Sequence, residues 1–351
     1  ALVSPRPAFA FFFIHVSDVH VDASGKTRFG TDGQERLKQL LEMLPVLQPK
    51  FALVTGDVTE AGDLPSLRLY ADLVKGAGCP FYAVTGNHDA GFAPDAWQAA
   101  IGSGHFSFDC EDCTLIGINA EGRWPGWGEF LEERLKEARA RGQKQFLLGF
   151  HRPLILPSFD SGDIMPGYAT LSGAEGLRVT GLCAEYGVKA VLAGHFHPPY
   201  DAYSVLSGTL SLAVPALVGN PGQGPASSFF RICSLEKGVL AWAEASPGTW
   251  PVIAVVAPER TAPWSPVAAR DGEEKLVVRP FSPDPITKVT WALPNQDALP
   301  MAPCGDGRYE AVLKVGNQGA KRVSLRITAT DAAGRSATLA YPLLMRPAPA
   351  K

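Results

Sequence analysis

The chain has 351 residues, of which 46% are hydrophobic and 19% charged, and its formal net charge is −3. This length exceeds what one hydrophobic core usually organises, so we expect two domains. The small negative charge and the lack of any Lys/Arg-rich run exclude a general attraction to nucleic acid or anionic membranes. No segment reaches the roughly 18 to 20 consecutive apolar residues of a membrane-spanning helix. We therefore predict a protein that is soluble as given, in the cytoplasm or exported.

The first predicted strand lies in the sequence AFAFFFIHVSDVH, from Ala8 to His20. Its beginning, Ala8 to Ile14, also resembles the apolar core of a signal peptide. The run continues directly into HVSDVH, which favours a buried strand. The chain begins at Ala1, which fits a processed or a trimmed protein and leaves the compartment open.

Strands and helices alternate from Phe11 to about Pro199. Apolar residues spaced i, i+3, i+4 and i+7 indicate helices. In the first two predicted helices these residues are Leu37, Leu40, Leu41 and Leu44, then Leu67, Tyr70, Ala71 and Val74. Five near-continuous apolar runs are typical of strands buried on both faces. These runs are FFFIHVSD, FALVTGD, FYAVTGN, QFLLGFH and VKAVLAGH. The alternation predicts a layered α/β fold with ligands beyond the carboxyl ends of the strands.

Six cysteines in a chain of this length do not indicate a disulfide scaffold. Cys110 and Cys113 alone are close in sequence, and they flank a predicted hairpin turn. A single CxxC is a weak zinc signal. We interpret the pair as ordinary turn residues, with a cross-strand disulfide as the alternative in an exported protein.

The later part of the chain is predicted to be all-β. Strand-like segments from residue 202 to about 246 are expected to complete the first domain with antiparallel strands. Beyond them helical periodicity ends, and Val323, Leu325, Ile327 and Ala329 alternate with polar neighbours. We predict an α/β domain over residues 1–250 and a small Ig-like or fibronectin-like β-sandwich over residues 251–351.

Metal-competent side chains follow each of the five apolar runs. They are Asp18 and His20, Asp57, Asn87 and His88, His151, and His195 and His197. A lone histidine after a strand is usually an ordinary loop residue. Five coincidences at equivalent positions favour a shared site, with a donor set of oxygen and nitrogen that suits manganese, iron or zinc. Glycines before Asp57, Asn87 and His195 leave room for a close ligand.

The order DxH, GD, GNHD, H and GHxH resembles the calcineurin-like metallophosphoesterase superfamily, over about residues 11 to 200. The resemblance implies a four-layer α-β-β-α sandwich and a cofactor of two divalent metal ions. By the same resemblance, Asp18, His20 and His197 would bind one metal, Asn87, His151 and His195 the other, and Asp57 would bridge them.

The resemblance also implies a reaction, the hydrolysis of a P–O bond by a hydroxide that bridges two metals. His88 is not a ligand in the family pattern, and it is expected to lie beside the phosphate and assist the leaving group. Asp89 is either a catalytic partner that orients His88 or a cap of the turn. Asn87, His88 and Arg152 are candidate substrate contacts, and Tyr168 is another, although Arg152 and Tyr168 also suit solvent-exposed loop positions.

Within the superfamily, GDVTEAGD and PFYAVTGNHD are most similar to bacterial cyclic-nucleotide-type phosphodiesterases, so we favour a phosphodiesterase over a monoesterase. Val58, Thr59 and Glu60 follow Asp57 where purple acid phosphatases have a tyrosine ligand, which argues against an iron-tyrosinate site. The expected partner is a small phosphate ester, without a nucleic-acid-binding patch, and the oligomeric state is open. The alternative function is a catalytically weak, metal-bound scaffold that acts through protein or carbohydrate binding.

Overall fold

A computed structural model gives the fold. It describes residues 12–102, 104–122, 124–154, 171, 173–204, 206–236, 238–258, 265–267, 273–314 and 321–345. The helices are α1 (Gly33–Leu47), α2 (Leu64–Val74), α3 (Pro94–Ala100), α4 (Trp127–Ala140) and α5 (Gly173–Tyr186). None of these described helices is both long and apolar enough to cross a membrane.

The strands fall into two groups along the chain. The earlier strands are β1 (Phe13–Val16), β2 (Ala52–Thr55), β3 (Phe81–Val84), β4 (Phe106–Cys110), β5 (Cys113–Gly117), β6 (Gln145–Gly149), β7 (Ala190–Ala193), β8 (Tyr200–Tyr203) and β9 (Leu210–Ala213). The later strands are β10 (Phe230–Glu236), β11 (Val239–Ala245), β12 (Val252–Ala257), β13 (Ser265–Val267), β14 (Glu273–Phe281), β15 (Ile286–Ala292), β16 (Leu299–Pro300), β17 (Ala302–Gly305), β18 (Arg308–Lys314), β19 (Lys321–Asp331) and β20 (Ser336–Met345). The five predicted apolar runs form β1, β2, β3, β6 and β7.

The first of two compact units consists of Phe13–Arg231 with Ser246–Gly248. In it β1, β2 and β3 are parallel neighbours. A second sheet has the order β4-β5-β6-β7-β9-β8, with parallel central strands and antiparallel edge strands. The two sheets contact each other through aromatic rings, since the Tyr82 and Phe108 centroids are 4.2 Å apart. The predicted α/β class with mixed sheets is confirmed.

Helices cover these sheets with the apolar faces that their sequences predict. In α1, Leu37, Leu40 and Leu44 are buried, as expected for one face of a 3.6-residue period. The helix begins after Asp32, whose carboxylate accepts hydrogen bonds from the amides of the first turn. On the other side, Leu131 of α4 packs in one buried cluster with strand residues of the second sheet.

The second unit includes Ile232–Ala245 and the residues from Thr249 on. Its later strands form two sheets, β12-β14-β18-β17 and β13-β20-β19-β15-β16. One buried cluster contains Leu276 of the first sheet and Leu325 of the second, so the two sheets share a core. The predicted all-β architecture is confirmed, while its assignment as Ig-like stays a prediction.

Two details of the prediction can be compared with this unit. On β19, Leu325, Ile327 and Ala329 are fully buried, which confirms the predicted alternation. The strands predicted to complete the first domain are β10 and β11, and the sheet order β11-β10-β1-β2-β3 includes them with β1, as predicted. By compactness alone, Ile232–Ala245 groups with the second unit, and the domain boundary at residues 250 and 251 stays a prediction.

The predicted hairpin around the CxxC sequence is formed by β4 and β5. Cys110 lies directly opposite Cys113 in the antiparallel register. Both are free thiols, and burial raises the pKa of each. The pair therefore behaves as ordinary hairpin residues.

Candidate metal centre

The candidate ligands lie just beyond the carboxyl ends of five parallel strands. Asp18 and His20 follow β1, Asp57 follows β2 and His151 follows β6. Asn87 begins a short 3-10 turn after β3, and His195 and His197 follow β7. The two sheets thus bring together residues that are far apart along the chain.

The backbone is strained at five of the seven candidate ligands. Five of the ten non-glycine residues with positive φ in the described chain are candidate ligands, and they are Asp18, His20, Asp57, His195 and His197. Side chains with a Cβ rarely adopt this left-handed conformation. Such strain persists where the surrounding structure enforces it and is common at functional sites. The conformation turns each side chain sharply off the end of its strand.

One cluster consists of Asp18, His20 and His197, all buried. Asp18 Oδ1 lies 3.3 Å from His197 Nε2 and 4.0 Å from His20 Nε2. The amide of His195 donates to the other oxygen, Asp18 Oδ2, at 3.0 Å. One carboxylate oxygen and two imidazole nitrogens therefore converge on one point.

A second cluster consists of Asp57, His151 and His195. His151 Nε2 lies 3.0 Å from Asn87 Oδ1, 3.2 Å from His195 Nδ1 and 3.5 Å from Asp57 Oδ1. The second oxygen of Asp57, Oδ2, is 3.7 Å from His20 Nε2 in the first cluster. Asp57 is thus placed between the two clusters, with one oxygen toward each.

Backbone carbonyls fix the orientation of two of the rings. His151 Nδ1 lies 2.8 Å from the carbonyl of Thr55, and His197 Nδ1 lies 3.3 Å from that of Gly219. A ring N–H donated to a carbonyl leaves the lone pair on the opposite nitrogen. For both rings that nitrogen is Nε2, which faces its cluster.

The donor atoms suit bound cations. Asp18 Oδ1 and His20 Nε2 are buried without a hydrogen-bond partner among the described residues, which is costly unless another group satisfies them. Burial alone would lower the pKa of His151, but the carboxylate of Asp57 raises it to about 10. The site therefore stabilises positive charge, and its oxygen and nitrogen donors fit divalent manganese, iron or zinc.

Two glycines allow the loops to approach one another. A Cβ on Gly86 would overlap the amide and carboxylate of Asp57, and a Cβ on Gly194 would overlap Ser17 and Asp18. Both glycines directly precede candidate ligands, and the expectation that they leave room for a bound ligand stays a prediction.

Glu60 is a functional candidate that sequence reasoning missed. Its side chain is 7% exposed, and Oε2 lies 2.9 Å from His20 Nδ1. Arg28 Nη1 and Lys26 Nζ contact the same carboxylate at 3.0 and 3.4 Å. Burial raises the pKa of Glu60, but the hydrogen bond and charge of His20, with the charge of Arg28, lower it to about 2. The sequence feature that could have identified Glu60 is its position three residues after Asp57, which follows the end of a strand.

His88 lies at the edge of the first cluster. Its ring centroid is 4.8 Å from that of His20, and its side chain is 24% exposed. Nδ1 lies 2.7 Å from the carbonyl of Glu60, and the backbone amide donates to Asp57 Oδ1 at 2.8 Å.

Asp89 is bonded to the loop backbone. Its carboxylate accepts hydrogen bonds from the amides of Val58, Thr59 and Gly86 and from the Thr59 hydroxyl. Burial, and then the charge of Asp57, raise its pKa to about 6. These bonds use the acceptor sites of the carboxylate, and a role of Asp89 in orienting His88 stays a prediction. Its contacts are those of the alternative, a loop cap.

Arg152 lies beside the second cluster. Glu121 holds the guanidinium through Nε and Nη2, while Nη1 lies 3.1 Å from His195 Nε2. Burial, followed by the charges of His151 and Arg152, lowers the pKa of His195 to about 4, so its imidazole is in the neutral form that binds metals. Tyr168, the other candidate, falls outside the described residues.

Comparison with known proteins identifies the family. A model of the calcineurin-like phosphoesterase family matches residues 13–199. A probable glycerophosphodiester phosphodiesterase, GpdQ, of Arcobacter nitrofigilis is 29% identical over 52% of this chain and 71% of its own. A probable cyclic nucleotide phosphodiesterase of Rhodopseudomonas palustris is 28% identical over 53% and 72%.

Other relatives are named as phosphatases. The serine/threonine-protein phosphatase CPPED1 of Pongo abelii is 27% identical over 50% of this chain and 63% of its own. The crystal structure of a dimetal phosphatase from Danio rerio superposes with a TM-score of 0.54 at 13% identity, over 69% of this chain and 97% of that one. The family model covers more than half of the chain and all five blocks of candidate ligands, and the chain therefore belongs to the calcineurin-like phosphoesterase family.

Proposed function

We propose that the protein hydrolyses phosphoric esters at a two-metal centre and prefers phosphodiesters. The observation that carries the proposal is the pair of buried donor clusters joined by the carboxylate of Asp57. The residues that would hold the metals are Asp18, His20, Asp57, Asn87, His151, His195 and His197. When bound, two divalent cations polarise phosphoryl oxygens and lower the pKa of water toward neutrality.

His88 is the candidate general acid. Because its Nδ1 donates to the carbonyl of Glu60, Nε2 is the nitrogen left for the substrate. Its partial exposure suits a group that meets the departing alkoxide, in contrast to the buried ligand His20. A positioned acid that protonates the leaving oxygen typically contributes about 10² to 10⁴ in rate.

Arg152 is the candidate contact for the substrate phosphate. Its side chain is 16% exposed, and Glu121 holds the guanidinium through Nε and Nη2. Its position beside His195 places an always-charged donor next to the second cluster. Arginine binds phosphoryl oxygens well because its N–H groups form a rigid fork.

The preference for diesters rests on similarity to two relatives named as phosphodiesterases. Similarity to a relative named as a protein phosphatase makes hydrolysis of monoesters the second candidate. The scaffold alternative is less favoured, because every candidate ligand and His88 are present in the site.

A screen of phosphate esters tests the proposal. Protein reconstituted with Mn²⁺ is assayed against bis(4-nitrophenyl) phosphate, 4-nitrophenyl phosphate and alkyl esters, with release of nitrophenolate or phosphate as the signal. The matched control is Asp57→Asn, which keeps the size of the side chain and removes its charge. We expect diester turnover that the control lacks. A metal-loaded wild-type protein without turnover of any ester would contradict the proposal.

A further inference from the structure

Glu60 contacts two histidines through two different groups. Its carboxylate oxygen Oε2 lies 2.9 Å from Nδ1 of His20, whose Nε2 faces the first cluster. Its backbone carbonyl lies 2.7 Å from Nδ1 of His88. The same Oε2 is 3.8 Å from His88 Nδ1, beyond hydrogen-bond distance. The carboxylate of Glu60 therefore contacts His20, and its main-chain carbonyl contacts His88.

We propose that Glu60 is a positioning residue whose carboxylate fixes the tautomer and orientation of His20 as a metal ligand, while its carbonyl independently fixes His88. This inference rests on the proposed two-metal site. An imidazole that donates Nδ1–H to a carboxylate keeps its lone pair on Nε2 and becomes a more basic ligand. In His20 that Nε2 is buried without a hydrogen-bond partner among the described residues, and the contact of Nδ1 with Glu60 Oε2 is an ion-pair contact at 2.9 Å.

The surroundings of Glu60 favour an orienting role over direct metal binding. His20, Glu60 and His88 have the spacing of a three-residue metal site. However, Arg28 Nη1 lies 3.1 and 3.0 Å from the two carboxylate oxygens, and Lys26 Nζ is 3.4 Å from one of them. A metal ion at this place would compete with two cations for one carboxylate. The carboxylate of Glu60 instead links two parts of the chain, because it contacts both the loop with Lys26 and Arg28 and the ligand His20.

The two contacts of Glu60 have separable consequences. Loss of the side chain removes the support of His20 but leaves the carbonyl that holds His88. Loss of an outer partner of a metal ligand typically lowers metal affinity by about 10- to 100-fold. We therefore expect loss of the Glu60 side chain to weaken metal binding at the first cluster. A high metal concentration should restore occupancy of that cluster.

The experiment compares Glu60→Ala and Glu60→Gln with a matched control, Glu129→Gln. The control removes a carboxylate that also pairs with an arginine, Arg178, but lies on α4. Binding of Mn²⁺ alone is followed by electron paramagnetic resonance without substrate. We expect Glu60→Ala to weaken one of two sites by about 10- to 100-fold, and the control to match wild type. Glu60→Gln retains an acceptor oxygen, and we expect its affinity to stay within about 10-fold of wild type.

Turnover at saturating Mn²⁺ and the nitrogen chemical shifts of His20 complete the test. We expect the turnover of Glu60→Ala to be low at limiting Mn²⁺ and to rise as Mn²⁺ is raised. We expect the Nδ1–H tautomer of His20 to be kept in Glu60→Gln and lost in Glu60→Ala. Equal loss of affinity in the two variants would overturn the proposal, because charge alone would explain it. Unchanged affinity with a low kcat would also overturn it, since the carboxylate would then act on His88. The binding data decide the role of Glu60 even if wild-type protein hydrolyses no ester.

Discussion

Asp57 is the residue that lies between the two clusters. Its oxygens lie 3.5 Å from His151 Nε2 and 3.7 Å from His20 Nε2, one toward each cluster. Its backbone has a φ of 48°, and its Oδ1 also accepts the amide of His88. One carboxylate thus links the two clusters to the turn that carries the candidate acid.

Asp57→Ala is expected to be more damaging than loss of an outer ligand such as His197→Ala. A shared carboxylate holds together two cations that otherwise repel each other, so its removal should lower occupancy of both sites. We expect affinity for both ions to fall by more than about 100-fold, as measured by elemental analysis after dialysis. A variant that keeps one site full and most of its turnover would show that Asp57 does not bridge.

His88→Ala is expected to lower turnover by about 10² to 10⁴ while both metals stay bound. The loss should be smaller for nitrophenyl esters, whose leaving groups need little protonation. Steady-state rates for alkyl and nitrophenyl esters, together with metal content, check this prediction. Equal losses for both kinds of ester would instead indicate a role in positioning the phosphate.

At the scale of elements, the site is a set of strand-end turns that touch one another. The turn after β2 and the turn after β3 share the carboxylate of Asp89, which bonds the amides of Val58, Thr59 and Gly86. These bonds fix the position of Asn87 and His88 relative to Asp57. The geometry of the site therefore depends on contacts between loops as well as on the ligands.

Gly86→Ala tests this dependence. The new Cβ would overlap the backbone amide of Asp57, which cannot move as a flexible side chain would. A displacement of about 1 Å near the reacting atoms costs about 100-fold in rate, and we expect a loss of that size. The matched control is Gly91→Ala in the same segment, where a Cβ meets nothing. Similar turnover in both variants would contradict the argument.

Gly181→Ala in α5 should stabilise the protein. The position is exposed, inside the helix, and open to a Cβ. Alanine is favoured over glycine in a helix by about 0.5–1 kcal/mol, and we expect the free energy of unfolding in urea to rise by that amount. Gly187→Ala, just past the helix at a φ of +65°, should have the opposite sign. Stabilisation by both variants would rule out helix propensity as the cause.

At the scale of the whole molecule, all candidate ligands lie in the unit formed by Phe13–Arg231 with Ser246–Gly248. The all-β unit supplies none of them and has its own buried core. We therefore propose that the chemistry is independent of the β-sandwich.

Removal of residues 251–351 should leave both metals and measurable turnover, as assayed by Mn²⁺ stoichiometry and diester hydrolysis. A folded, metal-loaded truncation without activity would place a substrate contact in the sandwich.

In the full chain, Leu325→Ala destabilises the sandwich without removing it, because this fully buried residue lies in the sandwich core. It should lower stability by about 2–5 kcal/mol without changing metal affinity.

The sequence alone determined the α/β class, the five buried strands and the candidate ligands. These features are local: apolar runs specify buried strands, and scarce polar residues at their ends mark the site. Only the tertiary structure decided the hydrogen-bond partners of Asp89, the contacts of Glu60 with His20 and Arg28, and the positive φ angles of five candidate ligands. Those features depend on residues up to about 40 positions apart, such as His20 and Glu60, and on loops that meet only when the sheets assemble. The order of residues along the chain does not give the distance between them in the fold. Close packing of the loops therefore determines that the Asp89 carboxylate bonds to backbone amides and that the Glu60 carboxylate contacts an imidazole.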